Sequence, residues 1–349
     1  MAEKPGVTIL DRDRCDGGYT LYSSRMTEIA HLIDIDGREA HRWAYEQGET
    51  WHYAEMLPDG RLLAIVKEVE GRCPGMLLEL DWDSKLLWKA DVAAHHDLDR
   101  LASGNTLVVC RDYVENPAIR EGRIKSDAIL ELAPGGAVAW EWHLDQHVAE
   151  IASLVPLDFP RPDYDWAHTN TVEALPDTPT AARDARFRAG NVLFSGRHID
   201  TIGVIDRATG EVVWAWGPGE IDKQHMPTML PNGHILIFDN GCEAKRSRIV
   251  ELDPLAGQIV WQYVADPPES FFTHSRGASE RLPNGNTFIT ESNTGRLFEV
   301  TPAGEIVWEF LNPDLLPKGT RQPLYRALRY PRPRVEPLLA PTLRAGSDA

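Results

Sequence analysis

One phrase is written five times along the chain, and no other feature restricts the fold as strongly. It opens on a histidine and passes through a short β-rich stretch to a Leu-Pro-Asn-Gly turn or a variant of it. His52 leads to Leu57-Pro58-Asp59-Gly60, His96 to Leu101-Ala102-Ser103-Gly104, and His225 to Leu230-Pro231-Asn232-Gly233. His274 leads to Leu282-Pro283-Asn284-Gly285, and the copy from His168 reaches Leu175-Pro176-Asp177, takes an insertion and resumes at Gly190-Asn191. Proline supplies a fixed φ and glycine a positive one, so each copy predicts strand, turn, strand.

A second phrase follows each first: Leu78 to Trp88, Leu130 to Trp140, Val204 to Trp214, Val250 to Trp261 and Phe298 to Trp308. It is again an apolar run, a turn and a β-branched run, so each unit supplies about four antiparallel strands, the content of a propeller blade. Near the N-terminus, TEIAHLIDIDGREAHRW carries only the second phrase, and QPLYRALRYP near the C-terminus can complete it. The expected fold is therefore an all-β, six-bladed β-propeller of four-stranded antiparallel blades, its ring closed by N- and C-terminal strands. Residues 1–335 read as one domain and 336–349 as a tail. No stretch keeps helical periodicity over three turns, and the tryptophans at 88, 140, 214, 261 and 308 read as packing between sheets.

A formal net charge of -17 disfavours nucleic acid and anionic membranes as partners, because both are bound through Lys and Arg. A small aromatic molecule, or an anionic one where local cations line its pocket, is the expected partner. The N-terminus is polar and no apolar run approaches the roughly 20 residues that span a bilayer, so a cytoplasmic location is expected. Cys15, Cys73, Cys110 and Cys242 have no metal-site spacing and read as free thiols.

His52, His96 and His225 each stand five residues before the turn leucine, while His168 and His274 stand seven and eight before it. Equal register in equivalent blades implies equal radial position, so these five imidazoles are expected around one axis. There they either ligate a divalent transition metal or, with an anion, act as charged donors with one of them as nucleophile. Arg197 and Arg248 favour the anion, because a guanidinium fork suits sulfate, phosphate or carboxylate. Asn170 can orient an imidazole or donate to a ligand. Asp97 beside His96 reads as a tautomer-fixing partner or a turn residue. His31, His41, His143, His147, His198 and His234 fall outside the register and read as surface or packing residues.

Three segments together, Asp165-Trp166-Ala167-His168-Thr169-Asn170-Thr171-Val172, NVLFSGRHIDTIGVIDRATGEVVWAWG and QHMPTMLPNGHILIFDNG, resemble the bacterial arylsulfate sulfotransferase family. The resemblance implies transfer of a sulfuryl group from an aryl sulfate to a phenol through a sulfohistidine, with no cofactor. It implies His168 and His225 as sulfate-binding histidines, Arg248 as the accompanying arginine and His274 as the nucleophile. Methionine follows His225 where that family commonly has aspartate. The five histidines also leave open a metal-dependent lyase, hydrolase or oxidase with His52, His96, His168, His225 and His274 as ligands, and a non-catalytic binding propeller.

Overall fold

The computed structural model describes residues 4–46, 48–68, 75–157 and 165–345. The repeated turns close alike in four copies, with leucine N–H bonded to a carbonyl four residues on: Leu57 to Arg61 (2.7 Å), Leu101 to Asn105 (2.9 Å), Leu230 to His234 (2.8 Å) and Leu282 to Asn286 (2.8 Å). Gly60, Gly104, Gly233 and Gly285 sit at φ 85°, 89°, 86° and 88°, which is why the turn needs glycine there.

Around these turns the chain is all β, in antiparallel sheets, and divides into two compact units. The first, Met1–Lys89 with Arg276–Ala349, holds a sheet ordered Leu324–Tyr330, Tyr19–Ser24, Ile29–Ile33, Glu39–Ala44. The expected pairing of a C-terminal strand with an N-terminal one is thus present, Tyr22 opposite Ala327. Its neighbour in sequence is a five-stranded sheet in which Gly6–Leu10 adds a further strand to Ile306–Leu311. The second unit, Ala90–Ser275, holds two four-stranded sheets, Thr169–Ala174 to Val212–Trp216 and His225–Met229 to Gln258–Tyr263, each in sequence order.

The expectation of six separate four-stranded sheets is corrected to five sheets among the described residues, one of them seven-stranded. The cause is the fifteen-residue strand Leu86–Arg100, in which the outer run ending one repeat continues unbroken into the His96 run that opens the next. Of the five repeated tryptophans, Trp214 and Trp308 are buried, whereas Trp88, Trp140 and Trp261 are only half-buried. Helices do occur: Val148–Leu154, Pro179–Arg183 and Arg332–Ala345. The last begins inside the expected domain and covers most of the expected tail, with Val335 and Leu339 buried in the first unit's core beside Trp43 and Leu80. None of the described helices is long and apolar enough to cross a membrane. Cys15, Cys110 and Cys242 are free, as expected; Cys73 lies outside the described residues.

A repeated device ties sheet to sheet. The innermost strand of a sheet leaves alternate N–H groups unpaired on one edge, and a carboxylate from the preceding sheet accepts them. Asp97 takes Val172 N (2.9 Å), Asp99 takes Ala174 N (2.7 Å), Glu173 takes Met229 N (2.9 Å) and Glu280 takes Arg329 N (3.0 Å). Asp97 thus acts through Oδ2 as a structural staple, a role the sequence did not suggest. Burial pushes the Asp99, Glu173 and Glu280 carboxyls up, Glu280 to about 7. Unfolded, Glu280 ionises near its ordinary value of 4.5, so the folded state holds the proton more tightly. Stability from this group is present below about pH 4.5 and lost as pH rises through 7. Chemical denaturation across pH 4.5 to 8 should show that decline, and Glu280→Gln should flatten it.

Candidate functional site

Four histidines of the second unit meet where two innermost strands begin. His95 and His96 lie in Leu86–Arg100, at a register shift between Ala94 and Leu98. His168 directly precedes Thr169–Ala174, whose own register shifts between Thr169 and Thr171. His96 and His168 both adopt positive φ, 64° and 55°, an uncommon conformation for non-glycine residues that turns each ring away from the regular pleat. His198 lies in the short turn Arg197–Ile199 directly after the adjacent strand Val192–Gly196, brought in because Thr169 pairs with Gly196 and His198 N bonds to Ala167 O at 2.8 Å.

Contacts run through the rings as a chain. Asp127 Oδ1 faces His95 Nε2 at 3.0 Å, and His95 Nδ1 contacts His96 Nδ1. His96 Nε2 stands 3.1 Å from His168 Nε2, and His168 Nδ1 is 2.7 Å from Asp165 Oδ2, which the Lys125 ammonium also contacts. His198 stacks on His168, centroids 4.7 Å apart, and its Nδ1 lies 2.7 Å from Asp165 O.

Read as one continuous chain of shared protons, these contacts imply a charge. Each nitrogen facing a carboxylate carries a proton, and each nitrogen-to-nitrogen contact needs one between its lone pairs. Three rings then hold four protons, one more than neutral imidazoles carry. Together with the Lys125 ammonium, this single excess charge balances the Asp127 and Asp165 carboxylates. Burial pushes the His95 pKa down, despite Asp127 opposing it, so the excess proton belongs to the His96–His168 pair. Burial alone would raise Asp165, but the hydrogen bond and charge of His168, joined by Lys125, hold it well below the usual carboxylate range. Asp127 is likewise held low, by His95 against its own burial.

His198 differs from the others. Burial, reinforced by the charge at His168, pulls it down to about 4, so it is neutral at pH 7. A neutral ring against a carbonyl donates from Nδ1, which leaves Nε2 unprotonated. Asp165, His168 and His198 also present ligand atoms within 4.8 Å of one another, the spacing of a metal site. Lys125 and His168 both sit on Asp165 Oδ2, and Asp165 Oδ1 has no hydrogen-bond partner among the described residues; the ammonium beside the carboxylate opposes a second cation there.

The other residues singled out from sequence fall elsewhere. His225 is buried at the start of His225–Met229, its Nδ1 2.7 Å from Asn240 Oδ1. Asn170 is buried too and donates to Gln224 O at 2.8 Å, a bridge between innermost strands. Arg248 lies on the third strand of its sheet and donates to Asp239 Oδ2 (2.8 Å), Gln262 Oε1 (3.2 Å) and Glu220 O (2.6 Å), along a cavity of about 620 Å³ that the histidine cluster does not line. Arg197, next to His198, donates to His274 O at 3.0 Å. His274 itself is exposed on a bend, its carbonyl also accepting from Cys242 Sγ at 3.2 Å. His52 belongs to the first unit, stacked on Tyr325 with centroids 5.8 Å apart. The sequence reading missed His95 and His198 as members of the cluster, along with Lys125, Asp127 and Asp165.

The family model of arylsulfotransferase (ASST) matches residues 53–312, most of the chain, cluster included. The chain belongs to the arylsulfotransferase family. A comparison with curated proteins finds no match. Among solved structures, a protein of unknown function from Bacteroides caccae is similar at TM-score 0.58 and 15% identity, over 90% of this chain and 98% of that one. A streptogramin B lyase gives TM-score 0.52 at 11% identity over 95% of each chain. The periplasmic gluconolactonase of Pseudomonas aeruginosa gives 0.52 at 13% identity, over 89% of this chain and 99% of that one. At such identities the likeness is one of fold, a propeller-like arrangement of antiparallel sheets.

Proposed function

We propose that this chain moves a sulfuryl group from an aryl sulfate to a phenol through a covalent histidine intermediate at the His96–His168–His198 cluster. The observation that carries the reading is His198: a neutral imidazole with its Nδ1 proton fixed on a carbonyl, beside two rings that share an excess proton. In the first half-reaction His198 Nε2 forms the N–S bond as the S–O bond to the aryl group breaks. The departing phenolate takes the proton shared by His96 and His168. In the second, an acceptor phenol returns its proton to that pair as its oxygen attacks sulfur and the N–S bond breaks. No electrons are exchanged and no cofactor is consumed. Lys125 and Arg197 place positive charge beside the sulfuryl oxygens.

This moves the nucleophile from His274, the residue expected from sequence, to His198. In this reading His168 keeps a sulfate-facing role, and Arg248 and Asn170, hydrogen-bonded to Asp239 and to Gln224 O, act on the structure around the site. The same reading counts the two halves of the seven-stranded sheet as two blades, six in all, and retains the cytoplasmic location. The test is 4-nitrophenyl sulfate with and without a phenol. A burst of nitrophenolate without acceptor, turnover with it, and a sulfonated peptide containing His198 are expected. Release of nitrophenolate that ignores the phenol, or no release, overturns the proposal.

A further inference from the structure

A second group of ligating side chains lies in the same unit, apart from the proposed transfer site. Asp112 sits in the strand Thr106–Glu115 and His143 ends the strand Val138–His143; both strands flank Arg123–Leu132. Asp112 pairs opposite Ser126 and His143 opposite Ala128, two residues along, so both project from one face of the sheet over small side chains. The short helical turn Leu144–His147 then returns Asp145 to them, held in place by Asn116 Nδ2 on its carbonyl at 2.8 Å. One ligand atom from each of Asp112, His143 and Asp145 lies within 4.8 Å of the others.

The partners of these groups leave a charge uncompensated. His143 Nδ1 is 2.9 Å from Asp112 Oδ2, and Asp112 Oδ1 accepts from Tyr113 N at 2.7 Å. His143 Nε2 lies 3.9 Å from Glu141 Oε2. Asp145 is only 9% exposed, and among the described residues its Oδ1 has no hydrogen-bond partner. A carboxylate oxygen that is buried and unpartnered is costly, whereas a bound cation makes the same oxygen favourable.

We propose that Asp112, His143 and Asp145 form a binding site for a divalent first-row cation, Zn2+ or Mn2+. One imidazole nitrogen with two carboxylate oxygens is a borderline donor set that suits these ions better than Ca2+ or Mg2+, which favour all-oxygen shells. The bound ion ties the turn after Val138–His143 to the strand of Asp112, one strand away.

Titration of metal-free protein with Mn2+, followed by loss of the free-ion EPR signal and reversed by Zn2+, tests this site. One ion per chain is expected, lost in Asp145→Asn and in His143→Gln, with Zn2+ raising the melting temperature of the parent by a few degrees and of neither variant. A His168→Ala/His198→Ala double variant should keep the ion. Circular dichroism without metal identifies any variant that fails to fold, and the remaining one then decides. Undiminished binding in the folded single variants, no binding by the parent, or loss only in the double variant overturns the proposal.

Discussion

His198→Ala should lower sulfuryl transfer by about 10^4-fold or more, because an enzyme without its nucleophile retains only binding and electrostatics. The burst of nitrophenolate from 4-nitrophenyl sulfate should vanish with it. His168→Ala removes the partner that shares the excess proton and should cost about 10^2 to 10^4-fold, a general-acid effect, while leaving a slow burst. Lys125→Met removes the cation paired with Asp165 beside the cluster and should cost about 10^2-fold. In His274→Ala the change should stay within about tenfold, since the structure uses that residue through its carbonyl. A burst that survives in His198→Ala and disappears in His274→Ala would return the nucleophile to His274. The acid limb of the pH profile discriminates as well. With His198 at about 4, its nucleophilic form persists down to that pH, so any fall in rate between pH 7 and 5 must come from another group.

The β content and turns were legible because they depend on local chemistry. Leu57-Pro58-Asp59-Gly60 and its copies specify their own hydrogen bonds and their own positive φ, wherever the flanking strands go. The sheet count was not legible, since nothing local marks whether the run ending at Trp88 stops before the run containing His96 begins; it does not stop. For the site, position at the head of the repeated phrase singled out His96 and His168, whose rings meet at 3.1 Å although their spacings to the turn leucine differ. It overlooked His198 because that residue reaches the cluster through strand pairing, Thr169 opposite Gly196, and not through position in the repeat. Register shifts of one or two residues also broke the assumption that equal spacing means equal direction. His225, before the shift in its strand, turns to Asn240, and Met226 takes the positive φ of 46° that His96 and His168 have in their strands. The methionine where the family commonly carries aspartate therefore occupies a special backbone position.

Asp127→Ala should be the most destabilising single change in the cluster, at about 3–5 kcal/mol, lowering the melting temperature by on the order of 10 °C. The carboxylate is 1% exposed, accepts Thr169 N through Oδ2 at 2.6 Å and faces His95 through Oδ1 at 3.0 Å. Alanine leaves the buried Thr169 amide with no acceptor, takes the facing carboxylate away from the buried His95 ring, and opens a void between them. The loss belongs to the broken pair and not to the absence of a charge. A double variant in which His95 also becomes a phenylalanine removes the buried polar ring left without its facing carboxylate and fills space, so it should recover part of the lost stability. It should not recover transfer. Without His95, His96 loses the neighbour whose Nδ1 lone pair accounts for its second proton, and the His96–His168 pair no longer needs the excess proton that the leaving phenolate takes. Denaturant melts of the two variants measure the first half of this claim, and their burst kinetics measure the second. Full activity in a stabilised double variant would show that the proton count does not govern the reaction.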